Sequence, residues 1–287
     1  MLAAVIRTAA WLGSRLPVNV AHGLAVVGGN VEWALRPHKR ATLSVNLGHA
    51  VGSPSEAVAV RRLVRREFVN EARRSADLLW AIGRPGELTA TTEVFGAEYA
   101  TEASSQSRGV ILAGLHVGGW ELAAALPATL LDVPTSVIVG DDWLAWAMQD
   151  VRTSVGLRVI YRTAPALAAA RVLARGEALL VFGDDAWGAR PRCHTVRFCD
   201  SHAELPAGIV SLARLSGAVI VTYSVLPVGP RRWHATIEAP IEPPPPGGGD
   251  KAERLVLQQL ADRWSALVRA NPQHWAASFP IAWRDDR

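Results

Sequence analysis

Past residue 108 the chain alternates short runs of branched apolar residues with segments of helical periodicity, and this pattern constrains the fold more than any other feature. "GVILAGL" (109–115), "TSVIVG" (135–140), "LRVIYR" (157–162), "ALLVFG" (178–183), "AVIVTYSVL" (218–226) and "RWHATIEA" (232–239) read as strands. Between them, 120–131, 143–156, 165–175 and 205–217 read as helices, with Gly176 and Gly217 as stops. Strand and helix in this order argue an α/β domain with a largely parallel central sheet flanked by helices. Residues 250–270 add an amphipathic helix with Val256, Leu260, Trp264, Leu267 and Val268 on one face. "PPPPGGG" (243–249) is a loop rather than a boundary, because too little chain follows it to fold alone.

The N-terminal part is different in kind. Residues 36–82 read as helical, and Ser53–Pro54 offers a cap and first-turn pair. Residues 2–13 and 20–35 read as two apolar helices, interrupted by Arg7 and by several glycines, too short and broken to span a bilayer. They can pack on the domain or lie in a membrane interface with arginine and Trp11 or Trp33 at the rim, and the two roles are compatible. Residues 1–80 carry a net charge of +6, while residues 81–287 carry −2. Such asymmetry fits an anionic partner surface, nucleic acid or acidic lipid on charge alone. Arg61, Arg62, Arg65, Arg66, Arg73 and Arg74 crowd one helix: commonly a solvated face, more sharply a lipid-phosphate contact. The expected division is 1–85, helical and membrane-associating, and 86–287, the α/β core, within one structural domain.

Composition excludes other classes. A chain that is 49% hydrophobic is neither disordered nor collagen-like. Two cysteines, Cys193 and Cys199, exclude a disulfide scaffold. With His194 and His202 their spacing fits no zinc pattern, so no metal is expected. P-loop, HExxH and GxGxxG patterns are absent.

The candidate chemistry begins at His116, directly after the strand 109–115, where the ligand sites of open α/β sheets lie. Gly118 and Gly119 allow a tight turn, and Glu121 falls in the first turn of the next helix, from which its carboxylate can reach back to the imidazole. A carboxylate on one ring nitrogen leaves the other to take a proton. No GxSxG elbow supplies a nucleophile, so a base with its orienter would activate a substrate hydroxyl or amine directly. On spacing alone, a structural histidine at a strand end is the better reading. Asp184, just past the strand 178–183, can bind a substrate hydroxyl or merely cap a turn. Arg152 can be a surface helix arginine or a phosphate or carboxylate clamp.

These residues resemble a family. "ILAGLHVGGWELAAALPA" is similar to the H-x4-[DE] block of the lysophospholipid acyltransferase superfamily. More narrowly, it resembles the bacterial branch of lipid A late acyltransferases and phosphatidylinositol mannoside acyltransferases. The N-terminal region ending at Asn46–Leu47, "VRTSVGLRVI" with Arg152, "ARGEALLVFGDDAWG" with Asp184, "ELPAGIVSLARLSGAVIVTYSV" and the terminal "NPQHW" resemble further blocks in the same order. The resemblance implies a glycerol-3-phosphate acyltransferase-like fold. It implies acyl transfer from acyl-CoA or acyl carrier protein to a hydroxyl of a glycolipid, lipid A-type or phosphatidylinositol mannoside-type. His116 would be the base and Glu121 its orienter, with Arg152 and Asp184 binding substrate. It implies no cofactor beyond the acyl thioester, no nucleic acid partner, and a peripheral place on the cytoplasmic face of the inner membrane.

Departures concentrate on the expected acceptor side. Relatives often carry Asp followed by Gln or Arg where this chain has Asp184–Asp185. The loop "RFCDSHAELP" is less aromatic, and "WAASFPIAW" lacks the usual His–Arg cluster. Of 30 basic residues only Lys39 and Lys251 are lysine, which fits a GC-rich genome and so a mannoside-type or unusual acceptor over lipid A. Two alternatives follow: the same mechanism on a soluble metabolite, and a non-catalytic lipid-binding relative.

Overall fold

The computed structural model of the chain describes residues 8, 11–105, 108–123, 126, 131, 133–140, 149–154, 156–163, 166–185 and 192–284. Three helices come first: α1 (Val18–Leu35), α2 (Pro37–Ala50) and α3 (Val58–Gly83). They are followed by α4 (Pro85–Ala90), β1 (Thr92–Phe95), α5 (Ala97–Ser105), β2 (Val110–Gly114), α6 (Trp120–Ala123), β3 (Thr135–Val139), α7 (Gln149–Ser154) and β4 (Arg158–Tyr161). Next come α8 (Ala166–Ala174), β5 (Ala178–Phe182), β6 (Cys193–Phe198), β7 (Ser201–Pro206), α9 (Gly208–Ser216), β8 (Val219–Gly229), β9 (Arg232–Ile237), α10 (Gly249–Ala270) and β10 (Ala282–Arg284).

The α/β reading holds. A seven-stranded sheet runs β1-β9-β8-β2-β5-β3-β4. Its five strands from β8 to β4 are mutually parallel, and β9 turns antiparallel to β8, taking β1 with it. Strands β2, β3 and β5 are buried at every residue, as continuous apolar runs between two helical layers should be. One core layer joins Ile111, Leu179 and Ile220 to Leu257, Leu260 and Trp264 of α10 and to Leu43, Leu47 and Phe68 of the N-terminal helices. The N-terminal region therefore shares the core of the sheet.

Two local expectations are corrected. The segment quoted as a loop, "RFCDSHAELP", is an antiparallel hairpin of β6 and β7, with Cys199 and Asp200 both at positive φ in its tight turn, and β10 pairs with β7. Ser53–Pro54 does not start the helix. Ala57 N–H donates to Pro54 O at 2.9 Å, so the proline opens a turn and α3 begins at Val58. Much of the segments expected to be helical at 2–13, 120–131 and 143–156 lies outside the described residues.

Helix α1 explains how the N-terminal region is laid down. Ala21, Ala25 and Gly29 form its buried stripe. A Cβ on Gly29 would stand 2.7 Å from Phe68 O and Val69 Cα, so glycine sets the approach of α1 to α3. The other side is apolar and exposed: Val20, Leu24, Val27, Val31 and Leu35 recur at helical spacing. Among the described residues, no helix is long and apolar enough to cross a membrane.

Gly29→Ala should therefore cost ~1–3 kcal/mol through overpacking. Gly28→Ala meets nothing within 4 Å and should be neutral or gain up to ~1 kcal/mol of helix propensity. Urea unfolding of the two variants side by side checks the contrast.

Candidate active site

Strands β2 and β5 are parallel neighbours, with Gly114 paired to Phe182. Their carboxyl ends therefore bring His116 and Asp184 together across 68 positions of sequence. Val117 N–H donates to Leu115 O at 2.7 Å, closing a γ-turn centred on His116. The loop is then strapped on both sides. Gly118 N–H donates to His274 O at 2.9 Å, Gly119 N–H to Val225 O at 2.7 Å, and Ala276 N–H to His116 O at 2.8 Å. Gly118 has φ +65°, and a Cβ there would fall 2.1 Å from Val225 O, so the turn requires glycine on both counts.

The imidazole of His116 bonds through Nδ1 to Asp184 Oδ1 at 2.8 Å. The same carboxylate accepts the His116 backbone N–H at 3.1 Å and Trp275 Nε1–H at 2.9 Å, both on Oδ2. The Asp184 side chain is wholly buried, and three protein donors compensate its desolvation. Rings of Trp120 (4.8 Å between centroids), Phe182 (4.8 Å) and Phe279 (5.3 Å) surround the imidazole. The His116 side chain keeps 17% of its surface, and Nε2 bonds to no described residue.

This differs from the role expected of Glu121. Nδ1 belongs to Asp184, on the adjacent strand, rather than to the carboxylate five positions downstream. Glu121 lies in α6 with Oε2 sealed from solvent and without a hydrogen-bond partner. Burial drives its carboxyl pKa up, the Arg74 guanidinium pulls it back, Glu71 adds to the rise, and the net shift is upward. Asp184, expected to bind substrate or cap a turn, accepts protein donors from the His116 ring, the His116 backbone and the Trp275 indole. Arg152 sits on α7 against the outer strand β4, with β3 and β5 between it and β2.

Burial alone would lower the pKa of His116. The charge and hydrogen bond of Asp184, helped by the charges of Asp185 and Glu121, outweigh that and raise it above the ordinary 6.5. The folded ring thus holds its proton more tightly than the unfolded one. The pair stabilises the fold fully below pH 6.5 and loses that contribution as pH rises through the folded value.

Trp275 and Phe279 were not singled out by role, although Trp275 closes the quoted "NPQHW" block. Asn46 of the quoted Asn–Leu pair gains a structural explanation. Its side-chain amide donates to Ala277 O at 2.8 Å and Phe279 O at 2.9 Å, and its Oδ1 accepts Trp283 Nε1–H at 2.8 Å. It is 1% exposed and anchors the C-terminal segment that covers His116.

A family model described as bacterial lipid A biosynthesis acyltransferase matches residues 3–277. The chain belongs to that family. It is an acyltransferase, as the sequence resemblance implied. A solved structure that resembles it is that of the 1-acyl-sn-glycerophosphate (LPA) acyltransferase PlsC from Thermotoga maritima. The two are 11% identical over 89% of this chain and 99% of the other, with a TM-score of 0.41. No curated protein matches the chain.

Two outcomes follow. Asp184→Asn removes the charge that raises the imidazole, so the acid limb of kcat/KM, above pH 6.5 in the parent, should move to lower pH. The limiting rate should fall ~10²–10⁴-fold as the ring loses its orienter; a pH–rate profile reads both. Asn46→Ala leaves two carbonyls without their donor and should cost ~2–4 kcal/mol in chemical denaturation.

Proposed function

We propose that this chain transfers a fatty acyl group from a thioester donor, acyl-CoA or acyl-carrier protein, to a hydroxyl of a glycolipid acceptor, with His116 as general base. The single observation that carries the reading is the imidazole held by Asp184 at the mouth of the parallel sheet, with its other nitrogen bonded to no described residue. The acceptor hydroxyl gives its proton to His116 Nε2 while its oxygen bonds to the thioester carbonyl carbon. The tetrahedral intermediate then collapses with cleavage of the C–S bond, and the imidazolium returns its proton to the departing thiolate. No protein nucleophile is needed, in keeping with the lack of a serine elbow in the sequence.

The aromatic rings of Trp120, Phe182 and Phe279 favour an apolar reactant beside the imidazole. Glu121 contributes negative charge near the ring and helps raise its pKa, a role short of direct orientation. Arg152 remains a candidate clamp for an anionic part of a substrate.

A peripheral place on an anionic membrane, on the cytoplasmic face, belongs to the same reading. The exposed stripe of α1 supplies apolar area and the arginines of α3 supply charge, the pairing that interfacial helices use. Donor and acceptor tails are then met at the surface where they reside.

His116→Ala should reduce acyl transfer by at least ~10²–10⁴-fold while far-UV circular dichroism and unfolding midpoint stay near the parent's. Mass spectrometry of lipid extracts from cells with the gene, without it, and with His116→Ala identifies the acceptor. Turnover retained by His116→Ala would remove this base. Leu24→Asp with Val31→Asp should weaken sedimentation with phosphatidylglycerol vesicles; unchanged sedimentation would discard α1 as the docking face.

A further inference from the structure

A cleft of about 790 Å³ lies beside the catalytic cluster, between α1, α3, the β8–β9 turn and the C-terminal segment. Five arginines line it, Arg62, Arg65, Arg66, Arg73 and Arg74, against one acid, Asp77. That acid is already bonded to His22 at 2.8 Å. Four of its lining residues present a buried side-chain nitrogen with no hydrogen-bond partner: Arg73 Nε, Arg74 Nε, Trp233 Nε1 and His274 Nδ1. Arg74 and Trp233 are 3% and 1% exposed, so these groups cannot turn to bulk solvent for partners. Unpartnered buried donors on residues that line one cleft call for acceptors, and an oxygen-rich anion supplies several at once.

From this we infer that the cleft is a binding site for a phosphate group. Arg74 joins the cleft to the chemistry: it is paired to Glu67 at 2.7 Å, and its charge bears directly on Glu121. His274 lines the cleft, while its carbonyl holds the Gly118 N–H of the catalytic loop. Burial, with the Arg74 charge, lowers the His274 pKa to about 4, so the ring is neutral at pH 7.

The phosphate can enter on either substrate of the proposed transfer, as the headgroup phosphate of the acceptor or as a phosphate of the thioester donor. That choice rests on the acyl-transfer reading, whereas the anion site stands without it. The full-length protein is titrated with inorganic phosphate, and with sodium chloride at equal ionic strength, following the melting temperature. A saturable rise with phosphate alone is expected, kept by His116→Ala and lost by Arg66→Gln with Arg73→Gln. If that double variant does not fold, Arg62→Glu with Arg66→Glu, on exposed positions, carries the same comparison. No rise beyond chloride, or a rise unchanged in the folded variant, overturns the site.

The substrate arm measures KM for acceptor and donor separately. The folded variant should raise one of the two by about tenfold or more, with kcat little changed. A rise for the acceptor assigns the phosphate to its headgroup, and a rise for the donor assigns it to the thioester's carrier. Both constants unchanged overturns the inference. Phosphate binding without acyl transfer would sink the transfer reading and leave the cleft; transfer that depends on His116 without phosphate binding would do the reverse.

Discussion

The carboxylate of Asp184 is the constraint on which the site depends. A buried negative charge is tolerable only with several donors aimed at it. Here three donors come from two distant residues: the His116 ring, the His116 backbone and the Trp275 indole. Satisfying one side chain thus locks the end of β2 to the end of β5 and both to the C-terminal segment. The reward is a ring with one nitrogen occupied, its tautomer chosen, and its pKa raised by charge against the opposing pull of burial.

The covering of that ring is built by the same economy. Asn46, from the second helix, spends its whole amide on the segment that carries Phe279 and on Trp283. Asn70, from the third helix, donates to Gln273 O at 2.7 Å. The N-terminal helices therefore do more than lie on the sheet: they hold the C-terminal segment over the imidazole. An apolar stripe on the outward side of α1 is left over once its small residues are used for close packing on α3.

A second buried charge pair links the helical region to the site. Glu67 and Arg74 are both buried, and burial pushes the Glu67 carboxyl up to about 7 against the pull of its partner. Losing either partner would strand the other, at a cost of about 3–5 kcal/mol. Arg74 also bears on Glu121, so one guanidinium balances acids on both sides of the boundary between the cleft and the His116 loop. The Glu121 charge in turn helps raise the His116 pKa, and His116 helps hold that of Glu121 down.

Periodicity by itself determined much of this protein. Continuous apolar runs such as 109–115 and 178–183, alternating with helical segments, are what a parallel sheet buried between two helical layers needs, and a histidine or aspartate directly after such a run stands at the sheet's carboxyl edge. Local pattern therefore placed His116, Asp184 and the arginine-rich helix. Which residues meet was decided only by tertiary structure. Strand order sets β5 beside β2, so Asp184 reaches the imidazole from 68 positions away while Glu121, five positions away, does not hold Nδ1. Spacing along a chain measures reach, not direction. The adjacency of β2 and β5, the tryptophan arriving from the far terminus, and the hairpin hidden in a polar stretch such as 193–206 exist only once long-range pairing has chosen a register.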